Sequence, residues 1–110
     1  MKISDFIGEG TEYEKKEMLE ERRPKSWLKS VSAFANGNGG TVLFGVSDAG
    51  ALVGLKNAKE VSEKVSEIIK AKMDPAPEVT LSLHTEEGKD FVVLNVGRRL
   101  RITTSAMAAG

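Results

Sequence analysis

Three acidic residues in the first half of the chain, Glu9, Glu14 and Asp48, have the chemistry of a catalytic site if the fold brings them together. Converging carboxylates bind Mg²⁺ or Mn²⁺, and such ions activate water for phosphodiester hydrolysis. Pairing of the N-terminal segment with the strand before Asp48 would place the three acids near one another. Asp48 also has a structural explanation, because its carboxylate can bond the backbone of the turn that it begins.

The glycine-rich stretch at 36–40, Asn-Gly-Asn-Gly-Gly, is a second candidate site. Phosphate-binding loops run from a strand through glycines into a helix, whose first amides face the anion. Here the order is helix, glycines, strand, so neither a P-loop nor a dinucleotide fingerprint is present. We expect Gly37 to end the helix in a left-handed conformation, and Gly39 and Gly40 to allow a sharp reversal. Successive amides and two asparagine side chains in such a turn could still bind an anion.

The charge of the chain is balanced, with sixteen basic and sixteen acidic residues and a pI near 6.6. Dedicated nucleic-acid-binding domains often have a pI above about 9. A nucleic-acid surface on this chain must therefore be local. Lysines and arginines do flank the first predicted helix, although glutamates crowd the same region. His84 has no partner at the spacing of a metal site or a catalytic triad, and we expect it to lie on the surface.

Length and composition indicate an ordinary globular chain. Its 110 residues allow one core, and 40% hydrophobic with 29% charged residues is typical of a globular protein. The absence of cysteine excludes disulfides and thiolate metal sites. The N-terminus lacks the apolar stretch of a secretion signal, and no run of about 18 apolar residues could span a membrane. We expect a soluble, cytoplasmic protein without membrane association.

Apolar spacing predicts the secondary structure. Apolar residues three and four apart indicate two helices, and apolar runs or alternations indicate strands. The predicted elements are a short strand within 11–18, a helix from Pro24 to a stop at Gly37, a strand at 41–47 with a return strand at 51–55, a helix capped by Asn57, and strands at 79–84 and 91–96. Two helices on one face of a mixed sheet make an α+β fold, a two-layer sandwich.

A set of motifs in this order resembles the Schlafen-type, Alba-like DNA-binding domain, which begins many bacterial proteins described as transcriptional regulators. The resemblance covers about residues 8–97. It is carried by the following residues: Gly8-Glu9, Glu14, Ser32 to Asn36, Gly39-Gly40, Gly45-Val46, Asp48, Gly50 and Gly54.

The resemblance implies a non-catalytic nucleic-acid-binding module of a transcriptional regulator, with DNA as the expected partner and with further domains downstream. We expect no cofactor and the following binding residues: Lys16, Lys25, Lys29, Asn36, Gly37, Asn38, Gly39 and Gly40. Related domains in Schlafen ribonucleases cut RNA with acidic residues of these motifs. The matching residues are Glu9, Glu14 and Asp48, so a nuclease using Mg²⁺ or Mn²⁺ is the alternative. Lys15 stands where the family usually has phenylalanine.

A third interpretation is a protein-interaction module, including a homodimer. The tail at 98–110 also departs from the family, which tends to continue with a Pro-Tyr-Tyr-Tyr segment and an Asp-Gly pair. Codons for the last eleven residues can be chosen so that another frame encodes both features. We therefore expect one domain at 1–97 and a tail that is out of frame or disordered, which the DNA sequence would decide. Its three arginines would then not be a designed basic patch.

Overall fold

A computed structural model describes residues 12–20 and 24–97. Within them the element order is β1 (Tyr13–Lys16), α1 (Lys25–Asn36), β2 (Gly40–Phe44), α2 (Ala58–Lys72), β3 (Val79–Glu86) and β4 (Lys89–Val96). The strands form one sheet in the order β1-β2-β4-β3. β1 runs parallel to β2, whereas the other two pairs are antiparallel. The expected α+β fold with a mixed sheet is confirmed.

Both helices pack on the same face of the sheet. Their buried side chains meet Val42 and Phe44 of β2 and Val92 and Leu94 of β4. Burial of each large apolar side chain contributes about 1.5–3 kcal/mol, so this layer is the main source of stability. The helical residues buried in it are Trp27, Val31, Phe34 and Ala35 from α1 and Ala58, Val65 and Ile69 from α2. No helix in the described part of the chain is long and apolar enough to cross a membrane.

The end of α1 differs from the expectation. Gly37 has a φ of −106°, so the predicted left-handed conformation at this residue is wrong. Gly39 adopts it instead, with a φ of +88°. The amides of Gly37 and Gly39 both donate to the carbonyl of Phe34, at 3.2 and 2.8 Å. The end of the helix therefore stays hydrogen-bonded to the chain as far as Gly39, where the chain reverses direction.

The start of α2 is also simpler than expected. Asn57 occupies the N-cap position, but its side chain makes no capping hydrogen bond. The backbone carbonyl of Asn57 accepts from the amide of Val61 at 2.9 Å. Glu60 in the first turn still complements the helix dipole.

The predicted hairpin between 41–47 and 51–55 forms only as a short antiparallel contact, in which the amide of Ser47 donates to Ala51 and that of Val53 donates to Gly45. β2 ends at Phe44, and the return segment makes only two isolated bridges, Val46 with Leu52 and Leu55 with Asp90. Gly45 interrupts the ladder at a φ of +106°, with its carbonyl accepting from two successive amides of the return segment. The segment instead covers the second face of the sheet, where Leu43, Val46, Phe91 and Val93 are buried.

β3 and β4 form the last hairpin as predicted. Glu87 and Gly88 have φ values of 54° and 73°, which is the two-residue turn that suits twisted antiparallel strands. The expected alternation along β3 fails at Leu83, which is 55% exposed. His84 is half-buried rather than on the surface, with its ring 6.3 Å from that of Phe91 and its Nε2 3.1 Å from Glu86.

Candidate nucleic-acid interface

Helix α1 divides its side chains among three faces. Trp27, Val31 and Phe34 point into the core, and two serines point toward β1. The remaining polar residues, Lys25, Lys29, Ser32 and Asn36, are spaced by three and four positions and therefore share one face. We call these four residues the basic face. Lys25, Lys29 and Asn36 are exposed and Ser32 is half-buried.

The charge of the basic face has one sign. The sequence of α1 contains two lysines and no acidic residue. Helix α2 instead mixes lysines with glutamates along its length. At about 1.5 Å per residue, α1 is about 18 Å long, so its lysines and the asparagine at its end form an extended stripe. The stripe runs into the turn at 36–40.

The turn at 36–40 has a structural reason for its glycines. A Cβ at position 40 would stand 2.5 Å from the ring of Phe34, so only glycine fits there without displacing that ring. Gly40 itself is buried. The amides of Gly37 and Gly39 already donate to Phe34. The groups left for a ligand at this turn are chiefly the exposed side chains of Asn36 and Asn38.

Glu14 and Lys16 belong to a polar seam between β1 and α1. The parallel register places them beside Val42 and Phe44, so both side chains project to the helix side of the sheet. One carboxylate oxygen of Glu14 accepts from the hydroxyl of Ser30 at 2.6 Å, and the other lies 3.4 Å from the ammonium of Lys16. Both oxygens of the predicted catalytic acid are therefore engaged.

Lys16 is held from the other side as well. Its ammonium donates to the hydroxyl of Ser26 at 3.3 Å, and that hydroxyl donates to Glu20 at 3.0 Å. The lysine that the sequence predicted as a phosphate contact therefore touches one carboxylate and is linked to a second through the hydroxyl of Ser26. Lys15 lies on the opposite face of the sheet, with its ammonium 5.8 Å from the ring centre of Tyr13.

Asp48 lies in the expected turn but does not make the expected bond. The side chain that binds the downstream backbone is that of Ser47, whose hydroxyl accepts from the amide of Ala51 at 3.0 Å. Asp48 is exposed. It borders a shallow groove of about 360 Å³ whose other lining residues are Lys15, Lys16, Glu17, Met18 and Glu20.

The described residues do not assemble the predicted metal site. Among residues 12–20 and 24–97, no three histidine, cysteine or carboxylate side chains are placed to hold a metal ion. Glu14 faces α1 and does not line the groove beside Asp48. Glu9 lies outside the described residues. The described side chains do not by themselves form a metal centre of three or more ligands.

Sequence reasoning missed the serines of α1. Ser26 and Ser30 stand four residues apart and therefore share a helix face, one turn from each other. The signal was the run of three charged residues Glu14, Lys15 and Lys16 in β1, because a charged strand that packs against a helix needs polar partners. Neither serine could be identified as a partner of β1 before the parallel pairing of β1 with β2 was known.

The chain is similar to known proteins in sequence and in fold. Residues 9–107 match the family described as "Schlafen, AlbA_2". The fold is similar to the solution NMR structure of the N-terminal domain of a Nitrosomonas europaea protein that is named "Putative ATP-dependent DNA Helicase RecG-related Protein". The TM-score is 0.62 at 23% identity, over 93% of this chain and 72% of the other. This likeness supports the fold alone. No curated protein matches the chain.

Proposed function

Because the chain belongs to the Schlafen AlbA_2 family, we propose that it is a non-catalytic nucleic-acid-binding module of a cytoplasmic bacterial transcriptional regulator with further domains. The observation that carries the proposal is the basic face of α1. Its two exposed lysines have no acidic neighbour on the helix. Nucleic-acid binding that does not depend on sequence is driven by such contacts to phosphates.

The dimensions of the basic face suit a phosphate backbone. Phosphates of one DNA strand follow one another at a rise of about 3.4 Å per base pair. A helix about 18 Å long that lay along the duplex axis would span about five of these steps. Lys25 and Lys29 would contact phosphates near one end, and the side chains of Asn36 and Asn38 would donate hydrogen bonds at the other. DNA is the expected partner.

Lys16 contributes less than the other two lysines in this proposal. Its ammonium lies between the carboxylate of Glu14 and a hydroxyl that is bonded to Glu20. A phosphate that approached Lys16 would meet the field of both acids. The test of the proposal is therefore built on Lys25 and Lys29.

The deciding experiment is a binding titration across a salt series with short single- and double-stranded DNA and RNA. We expect the affinity to fall steeply as the salt concentration rises. Lysines that bind phosphates displace counterions from the nucleic acid, and this release is less favourable at high salt. The variant Lys25→Gln/Lys29→Gln should bind duplex DNA about tenfold more weakly at low salt, with a salt slope smaller by about 1.8.

The matched control removes two exposed lysines from the other helix. The variant Lys59→Gln/Lys70→Gln has the same change in net charge, but its substitutions lie on α2. We expect it to bind as the wild type does. Equal weakening by both variants would show that only net charge matters, and affinity that does not respond to salt would contradict the proposal outright.

A further inference from the structure

β3 forms one edge of the sheet and has a free outer side within the described residues, where it pairs only with β4. The amide of Gly97 donates to the carbonyl of Glu78 at 3.0 Å, which places residue 78 in a hydrogen-bonded pair. Hydrogen-bonded pairs alternate along an antiparallel ladder. Residues 79, 81, 83 and 85 therefore direct their amides and carbonyls away from the sheet.

The two edges of the sheet differ in how they are protected. β1 has four residues, two of them lysines, and its side chains are tied to α1. Short length and lysine are devices that keep edge strands from pairing with other chains. β3 has eight residues with no lysine, proline or glycine, and its register with β4 is continuous. Leu83 on this strand is 55% exposed, on the same face as the buried core.

We propose that β3 pairs with β3 of a second copy of this chain, antiparallel about a two-fold axis at Leu81. The two sheets then become one continuous sheet of eight strands. Leu81 stands opposite Leu81 of the second copy, and the exposed Leu83 stands opposite Val79. All the apolar side chains of the pair lie on the helix side, so each covers the apolar surface of the other.

The polar side of the strand favours the same register. Thr80 stands opposite Ser82, and His84 stands opposite Glu78 of the second copy. Moving the axis to Ser82 would place Glu78 against Glu86, two like charges that repel. Moving the axis to Leu83 would set Val79 against Glu87 in the turn. Of these three axes, the one at Leu81 matches apolar with apolar residues and avoids opposing acids.

The oligomeric state of the whole chain tests the proposal. We expect sedimentation velocity over a concentration series to show a reversible dimer. Leu83→Lys should raise the dissociation constant at least about tenfold, because a buried charge and the lost leucine both oppose pairing. Val53→Lys is the matched control, since Val53 is also exposed, at 45%, but lies in the segment after β2. It should leave the dimer unchanged.

Cross-linking tests the register directly, because the chain has no cysteine. Thr80 and Ser82 of opposite copies would form a non-hydrogen-bonded pair, in which the Cα atoms are about 4.5 Å apart and within reach of a disulfide. Mixing Thr80→Cys with Ser82→Cys under mild oxidation should give the mixed dimer in clear excess over either variant alone. Mixing Thr80→Cys with Val53→Cys should give little.

Three results would overturn the proposal. One is a monomer at every concentration, and another is a dimer that Leu83→Lys leaves intact. The third is a dimer without the mixed cross-link, which would place the interface elsewhere. None of the contacts in the β3 pair involves nucleic acid, so the dimer and the proposed function can fail independently of each other.

Discussion

The ring of Phe34 lies against the backbone of Gly40, so that a Cβ at position 40 would stand 2.5 Å from the ring. This contact joins the end of α1 to the start of β2. Phe34 is itself buried in the core, so displacing its ring would disturb the packing around it. The glycine therefore sets how closely the helix approaches the sheet.

Gly40→Ala should destabilise the protein by about 1–3 kcal/mol, the usual cost of inserting a methyl group into a packed core. Urea unfolding followed by the fluorescence of Trp27, the single tryptophan, measures the change. The double variant Gly40→Ala/Phe34→Leu supplies the control. If the clash with the Phe34 ring is the cause, Gly40→Ala should lower the free energy of unfolding less in the Phe34→Leu background than in the wild type. Additive losses would show that the ring is not responsible.

Glu14 has a structural partner in α1, which leads to a second expectation. Glu14→Ala removes the bonds to Ser30 and Lys16 and should cost about 1 kcal/mol of folding stability. Glu14→Gln keeps an acceptor for Ser30 but loses the charge, so its loss should be smaller. Urea unfolding of both variants measures the difference. Glu17→Ala, at an exposed position after β1, is the control and should be near neutral.

Cleavage assays of the wild type and of Glu14→Gln distinguish a non-catalytic binding module from a nuclease. We expect no Mg²⁺- or Mn²⁺-dependent cleavage of RNA or DNA by the wild type. Cleavage that disappears in Glu14→Gln, a variant that should still fold, would establish the catalytic alternative. It would also mean that Glu14 leaves the partners it has in this structure.

The elements that could be predicted from the sequence are those specified by local patterns. Both helices follow from apolar residues three and four apart, and the last hairpin follows from Gly88 in its turn. The short extent of the hairpin after β2 could not be predicted, because β2 ends at Phe44 and the next residue, Gly45, packs against Phe91, 46 residues later. A Cβ at Gly45 would stand 2.8 Å from that ring.

The candidate site was harder to predict than the fold. The sequence indicated Lys25, Lys29 and the turn after α1 as an exposed polar surface, and the structure places them on and beside one helix face. It also indicated Glu14 and Lys16 as separate functional groups. Glu14 and Lys16 stand two residues apart in β1 and therefore share a face. Their contacts with Ser30 and Ser26 depend on how β1 packs against α1, which no local pattern specifies.

Trp27 provides a further expectation, because its indole is fully buried and its N–H has no hydrogen-bond partner among residues 12–20 and 24–97. An unpaired buried donor costs free energy, so removing it offsets part of the loss from a smaller side chain. Trp27→Phe should therefore cost less than the 3–5 kcal/mol typical of truncating such a residue to alanine. Circular dichroism during urea unfolding is the measurement. A loss as large as that of Trp27→Ala would indicate that the N–H has an acceptor.

The proposed interface also predicts a gain of binding. Ser32 lies on the basic face between Lys29 and Asn36, at a half-buried position whose side chain could reach solvent if lengthened. Ser32→Lys would add one phosphate contact to the stripe. The affinity for duplex DNA should rise several-fold at low salt, and the salt slope should increase by about 0.9. Ser66→Lys adds the same charge at a half-buried serine of α2 and should change neither quantity appreciably. If both lysines strengthen binding equally, the nucleic acid responds to total charge rather than to the basic face, and the assignment of α1 as the interface is wrong.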